Sequence, residues 1–470
     1  MSRLKRGSKL WWKLARQIMD KRSRGSSIPA LRDSSNQWKL HDEEKANLLA
    51  DIFTSKFGLP SHIDNEYSFS KPRIFTAGFR AIRVRNTLRE MSCLDLDSGT
   101  GPDNVATIVL KRCRLGLALP ITLLARLIFS QGRWPQIWTI HWIMPLHKRK
   151  SVYDPSNYRG IHLTSQISKL VERVLSFLFL PSLERLAFGS YQFAYRRGRG
   201  ARDAVAFYVL SWIQAFNDGQ KVGLYASDVS GAFDKVSSSL LIAKLESFGI
   251  HDKMLKVIGS WLRERPAYVV VGGKFSKEIT LRNMVFQGTV WGPYLWNAFF
   301  GDSVYALQLT DFSVVIYADD LNIFKCFPLQ TSNSLIKAEL LECQMNLHRW
   351  GHANQVTFDP SKEYMNILSH ISHADGSNIR LLGIDFDIKL QMGSCITETI
   401  HECSWRLRTL LRSRRFHSDA ELILHFKSHI LSYLEYRTAG IYHAASSVLA
   451  PLDRILDRFL QDVNISSMML

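Results

Sequence analysis

One stretch, residues 314–324, reading VVIYADDLNIF, constrains the fold more than any other. Three β-favouring apolar residues lead into Tyr317-Ala318-Asp319-Asp320, and Leu321, Ile323 and Phe324 resume the apolar pattern. That pattern predicts two short strands joined by a tight turn with two adjacent carboxylates at its tip. Burying both flanks sets two like charges side by side, which is costly unless a cation neutralises them. A hard divalent cation such as Mg²⁺ takes carboxylate oxygens and keeps positions for water and phosphate. The competing reading is a polar turn whose acids face water. A third carboxylate in a similar setting upstream would favour the cation.

Residues 223–229, GLYASDV, are such a setting: a buried-strand run carrying Asp228, followed by Ser230-Gly231-Ala232-Phe233-Asp234. Two-metal nucleotidyl transfer asks for one carboxylate bridging two Mg²⁺ ions ~4 Å apart, a second that helps hold them, and a dry strand scaffold. One ion activates a primer 3′-hydroxyl, and the other stabilises charge on the β- and γ-phosphates and the leaving pyrophosphate. Asp228, Asp319 and Asp320 supply that set.

SDVSGAFD (227–234) and YADD (317–320) resemble motifs A and C of reverse transcriptases, specifically those of non-LTR (LINE-type) retrotransposons. The resemblance covers about residues 40–460, and the motifs arrive in the family's order. It implies an α+β, right-hand polymerase fold with fingers, a palm built on an antiparallel sheet, and a helical thumb. The expected division is a basic N-terminal extension at 1–75, fingers at 76–222, palm at 223–393 and thumb at 394–470. Residues 236–284 are expected to be partly helices of the fingers and palm. The implied activity is RNA-directed DNA synthesis from a primer 3′-hydroxyl, with two Mg²⁺ ions (Mn²⁺ as a substitute), dNTPs, an RNA template and a DNA primer.

Further motifs carry roles only through the resemblance. Ser98-Gly99-Thr100-Gly101-Pro102-Asp103 is similar to the S-G-P-D-G element beside the template. The run WIMPLHKRK (142–150) is a strand entering a basic loop, and NYRGIHL (157–163) has glycine where the family has Y-R-P-I. Lys148 and Arg159 would reach the triphosphate of the incoming nucleotide; otherwise they belong to a solvated basic turn. QFAYRRGRG (192–200) interleaves arginines, aromatics and glycines, which suits approach to a nucleic-acid backbone through Arg196 and Arg199. Val229 would add a backbone carbonyl to the metals. Phe233 would pack under the sugar and exclude a 2′-hydroxyl, the alternative being a core phenylalanine. Asp234 reads as a helix cap. VFQGTVWGP (285–293) resembles motif B, with Phe286 in place of proline. Its Gln287 and Gly288 would lie against the nucleotide and template base, and the role of Asn297 stays open. Lys362 matches the motif D lysine, a general acid for pyrophosphate, or is a surface lysine. RLLGIDF (380–386) looks like the hairpin that grips the primer. Five arginines between 406 and 415, among them Arg406, Arg408 and Arg412, would contact duplex phosphates from a thumb helix.

Composition enters at three points. A net charge of +18 fits a polyanionic partner. Six scattered cysteines without C-x-x-C pairs read as reduced thiols of an intracellular protein, nuclear or cytoplasmic. No apolar run is expected to span a membrane, because Arg126 interrupts residues 117–129. Residues 1–25 hold nine Lys/Arg against one acid, with Leu10, Trp11, Leu14 and Ile18 at helical spacing. This segment reads as a template-contacting helix, an import or organellar address, or a helix packed on the body. A polar linker is expected at 26–38, an amphipathic helix from His41 to about Phe57, and loop at 58–75. Helices are expected at 165–183, 201–217, 332–352, from about 397, at 419–440 and at 446–463.

The chain shows no apurinic-type endonuclease upstream and no ribonuclease H acid cluster or C-C-H-C knuckle downstream, so it reads as the polymerase unit of a larger element or a fragment of one. Two rival readings remain. RNA-dependent RNA polymerases more often carry G-D-D and lack the aromatic at Phe233. A non-catalytic RNA-binding relic would not need its three carboxylates intact.

Overall fold

The computed structural model describes residues 28–60, 81–148, 150–307, 311–371 and 374–464. The basic segment 1–25 and most of the loop expected at 58–75 lie outside the described residues. What is described mixes helix and sheet, in keeping with the α+β expectation.

A four-stranded antiparallel sheet forms the centre, in the order Tyr364–Leu368, Gln220–Asp228, Asp320–Pro328, Ser313–Tyr317. All but the two end residues of Gln220–Asp228 are buried, which requires cover on both faces. The helix Ala201–Asn217 supplies one layer, where Tyr208 and Trp212 meet Val222, Leu224 and Ala226. The helix Asn333–Asn354 covers the other, with Ile336 and Leu340 in the cluster that holds Tyr225, Leu321 and Ile323. Period-two alternation along one strand thus feeds two cores.

The second sheet joins Tyr158–Leu163, His141–His147, Arg265–Val271 and Lys274–Phe275, with Ile279–Leu281 paired to Arg265–Val271. The stretch 236–284 is partly helical: after helices Ser238–Ser247 and Asp252–Trp261 it crosses into this sheet. The helix Asp42–Lys56 lies on the same sheet, opened by His41 and a Glu44 that returns to its backbone N–H.

Other expectations are corrected in detail. The linker at 26–38 contains a strand pair, Leu31–Arg32 with Trp38–Lys39, and Leu31 is fully buried. The helix Arg114–Gln131 is long and apolar enough to cross a membrane by length and composition, contrary to the expectation, because its two arginines do not outweigh its leucines. Core helices of globular proteins pass the same test, and this one buries Ala118, Ile121, Ala125 and Ile128. The C-terminal helix starts at Gly393, and the single helix expected at 419–440 is Asp419–Phe426 and Ser432–Ile441 joined by a π-helical turn, Lys427–Leu431. With Ser446–Val463 these helices close a third core around Leu407, Phe426 and Phe459.

Candidate active site

The backbone brings the acids together. Gln220–Asp228 and Asp320–Pro328 pair over their full lengths, so Asp228 stands directly opposite Asp320. Asp320 also pairs with Tyr317, which leaves Ala318 and Asp319 as a two-residue turn. Ala318 adopts φ 61°, a left-handed conformation that a non-glycine residue holds only when its surroundings enforce it. Two contacts do so: the Ala318 N–H donates to Gln192 Oε1 at 3.3 Å, and Trp296 Nε1 donates to the Ala318 carbonyl at 2.9 Å. Asn297, one residue on, donates to the Ala194 carbonyl at 2.9 Å and fixes the segment that carries Gln192. Gln192 and Trp296 escape sequence reasoning, since nothing in their local pattern names a partner more than twenty residues away.

Burial and the negative charge of Asp228 push the Asp319 carboxyl up. Asp320 is pushed to about 7 by burial, by the charges of Asp319 and Asp228, and by its hydrogen bond to Asp228. Mutual repulsion of this kind is what a bound cation relieves. Lys362 already supplies one positive charge, donating to Asp228 and lying 3.7 Å from Asp359. Partial burial opposes the Lys362 charge, but the hydrogen bond and charge of Asp228 outweigh it and raise the ammonium. Among the described residues no three acidic, histidine or cysteine side chains are oriented to enclose a metal ion as they stand. The donor set nonetheless suits Mg²⁺: three carboxylates, two of them raised by burial and by the charges of neighbouring aspartates, at the edge of a buried sheet.

Asp228 and Asp319 open onto a cavity of about 440 Å³. Val229, Lys362, Lys148, Arg159, Gln287 and Gly288 line the same cavity. Phe233 lines it too, stacked on Trp296 at 5.9 Å and edge-on to Tyr195 at 6.2 Å. Its ring is thus partly in the core and partly at the cavity wall. Gly288 holds φ 88°, and a Cβ there would meet the His162 carbonyl at 2.7 Å, so the loop lies flush on the neighbouring strand. Asp234 is not a helix cap. Its carboxylate accepts from Gln287 Nε2 at 3.1 Å, faces the cavity, and is pushed to about 6 by burial.

Buried polar groups brace this loop from behind. Glu172 accepts from the Val290 N–H at 2.7 Å, the Trp291 N–H at 3.2 Å and Trp261 Nε1 at 3.3 Å. It thereby caps the helix Trp291–Phe300, whose N-terminal dipole favours a negative charge. Phe286 fills the place of the family's proline against Arg265, 4.0 Å from its ring. Arg265 Nη1 lies 2.8 Å from His141 Nε2, and His141 Nδ1 lies 3.0 Å from His162 Nδ1. Arginine only donates, so His141 accepts at Nε2 and donates through Nδ1. Both rings are thus neutral, in line with burial lowering both and taking His162 to about 3.

A profile for reverse transcriptase (RNA-dependent DNA polymerase) matches residues 146–386, just over half of the chain. The chain belongs to the reverse transcriptase family. Among curated relatives, a probable RNA-directed DNA polymerase from transposon BS of Drosophila melanogaster is 26% identical over 85% of this chain and 46% of its own length. The RNA-directed DNA polymerase from mobile element jockey of the same organism is 23% identical over 66% of this chain and 34% of its own. A Pol polyprotein from type-1 retrotransposable element R2 of Popillia japonica is 26% identical over 48% of this chain and 32% of its own. The chain spans less than half the length of each.

The arginines expected on nucleic acid divide into two groups. Arg196 donates to the Gly189 and Gln192 carbonyls, and Arg199 to Ser190 while covering the Phe193 ring. Both therefore shape their own loop. Arg406 pairs with Glu402 at 2.8 Å and donates to the His429 carbonyl at 2.7 Å. Arg408 and Arg412 are exposed on the helix Gly393–Arg412.

Proposed function

We propose that this chain is an RNA-directed DNA polymerase that extends a primer 3′-hydroxyl with dNTPs on an RNA template. The observation that carries the reading is the Asp228–Asp320 register, which gathers three carboxylates beside a cavity that Asp228 and Asp319 line together with Lys148 and Arg159. The central sheet is read as palm, the second sheet with its helices as fingers, and the C-terminal helices as thumb.

Asp228, Asp319, Asp320 and the Val229 carbonyl would hold two Mg²⁺ ions, which when bound supply hydroxyl activation and charge neutralisation at the phosphates. The protein's own groups do the rest. Lys148 and Arg159 orient the triphosphate. Phe233, held from below by Trp296, forms the wall against a 2′-hydroxyl. The Gln287–Gly288 backbone lies against the base. Lys362 carries a proton toward the leaving pyrophosphate, which requires it to leave Asp228, the same exchange that admits a metal.

Primer extension on poly(rA)–oligo(dT) with Mg²⁺ tests this reading. Incorporation of dTTP that vanishes in Asp319→Ala supports it. Incorporation of UTP in place of dTTP points to RNA synthesis, and duplex binding without extension to a relic.

A further inference from the structure

We propose that Lys56 is a further binding residue for the triphosphate of the incoming nucleotide, so that a helix lying well before the matched segment completes the substrate site. The inference rests on the polymerase reading and extends it to residues that no motif assigns.

Phe53, Lys56 and Phe57 recur at helical spacing on Asp42–Lys56 and line the cavity that holds Asp228 and Lys148. The helix packs on the strand that carries Arg159 at Gly160. A Cβ on Gly160 would stand 2.5 Å from Ile143 Cγ2 on the neighbouring strand and in ordinary contact, 3.5 Å, with Phe53 Cε2 on the helix.

Lys56 is aimed as well as placed. Its Nζ donates to the Ser156 carbonyl at 3.2 Å and the Tyr158 carbonyl at 3.5 Å, on either side of the turn into that strand. An ammonium has three donors, so one remains for a ligand. Burial and the positive charge of Lys148 lower the Lys56 ammonium, against weaker pulls from Asp234 and Asp154. Those two acids have other partners: Asp234 takes Gln287, and Asp154 takes the Ser156 N–H at 2.8 Å. Two ammonium groups that repel each other at one cavity, with Arg159 beside them, gain most from a ligand of several negative charges. A triphosphate is that ligand, and Asp228 and Asp319 line the same cavity.

The test compares wild type, Lys56→Met and Lys56→Arg in primer extension and in calorimetric binding of inorganic tripolyphosphate, with thermal melts to establish folding. Loss of one charge-assisted contact predicts a roughly tenfold rise in dNTP KM and in tripolyphosphate Kd for Lys56→Met, a much smaller fall in kcat, and recovery in Lys56→Arg. A folded Lys56→Met with unchanged KM and Kd overturns the proposal, as does a Lys56→Arg that loses as much as Lys56→Met. A wild type that binds tripolyphosphate through Lys56 but incorporates no nucleotide overturns the polymerase reading alone.

Discussion

The acidic and the cationic side chains around the cavity are placed in opposite ways. The acidic side is placed by backbone: Asp228 and Asp320 face each other through strand register, and Asp319 sits in a two-residue turn clamped by Gln192 and Trp296. The cationic side is placed by side chains from separate elements, Lys148 and Arg159 on one hairpin and Lys56 on a distant helix. Carboxylates that share metal ions need sub-ångström placement, which a sheet provides. Cations that attract a triphosphate act through a field that tolerates long, adjustable side chains. The acidic side should therefore fail abruptly and the cationic side by degrees.

The largest effect is expected at Asp319. Asp319→Asn should lower primer extension by at least about 10³-fold, since an amide supplies one neutral acceptor in place of a metal-holding charge. The same change should leave the metal-free fold as stable or up to ~1 kcal/mol more stable, because Asp319 is half-buried beside the like charge of Asp228. Loss of activity with gain in melting temperature would mark the acidic side as held against its own repulsion. A fall in both would break the comparison.

Next comes Gly288→Ala, where the added Cβ meets a backbone carbonyl at a φ that L-residues avoid. Displacing the loop by a few tenths of an ångström or more should cost ~10²-fold in kcat/KM for dNTP, through KM as well as kcat. A mild effect would mean that the loop also adapts, as the cations do.

The difference between the two sides also decided what could be read from sequence. The acid hairpin was legible because strand alternation and adjacent aspartates are local signals, as was a second strand run ending on an acid, but the register that sets Asp228 opposite Asp320 was not. Lys56 was not, because the 42–56 pattern announces an amphipathic helix but not what its buried face meets. The pair Leu31–Arg32 and Trp38–Lys39 is too short to show a period. Strand Arg265–Val271 was readable: it is β-rich and ends at Gly272-Gly273, both with positive φ, which is the signature of a tight hairpin. The reading of 236–284 as partly helical left its strands unnamed. Asp234 was misassigned because Asp before a helical run is a common cap signal, and only the fold brings Gln287 to it.

Mg²⁺ should sharpen the contrast through pH. Asp320 holds its proton up to about 7 in the metal-free chain, well above an unfolded aspartate. That proton favours the folded state at low pH, and the contribution is lost as pH rises through about 7. Mg²⁺ must displace the proton, so its affinity should climb over the same window. Melting with and without Mg²⁺ should give a rise of about 1–3 °C at pH 8 that shrinks by pH 6. A pH-independent rise would show that the ion binds elsewhere than at Asp320.

The smallest effect separates two arginines one and a half turns apart. Arg406 is tied to Glu402, the His429 carbonyl and the Tyr433 ring, while Arg412 is exposed on the same helix. If duplex phosphates meet this face, Arg412→Ala should lower the slope of log K against log salt by about one unit and leave the melting temperature alone. Arg406→Ala should instead cost ~1–2 kcal/mol of stability, because it strips donors from a carbonyl and a carboxylate and uncovers an aromatic ring. Arginine count along a basic helix thus overstates its grip on nucleic acid, since a residue that braces the fold is not free to hold a phosphate.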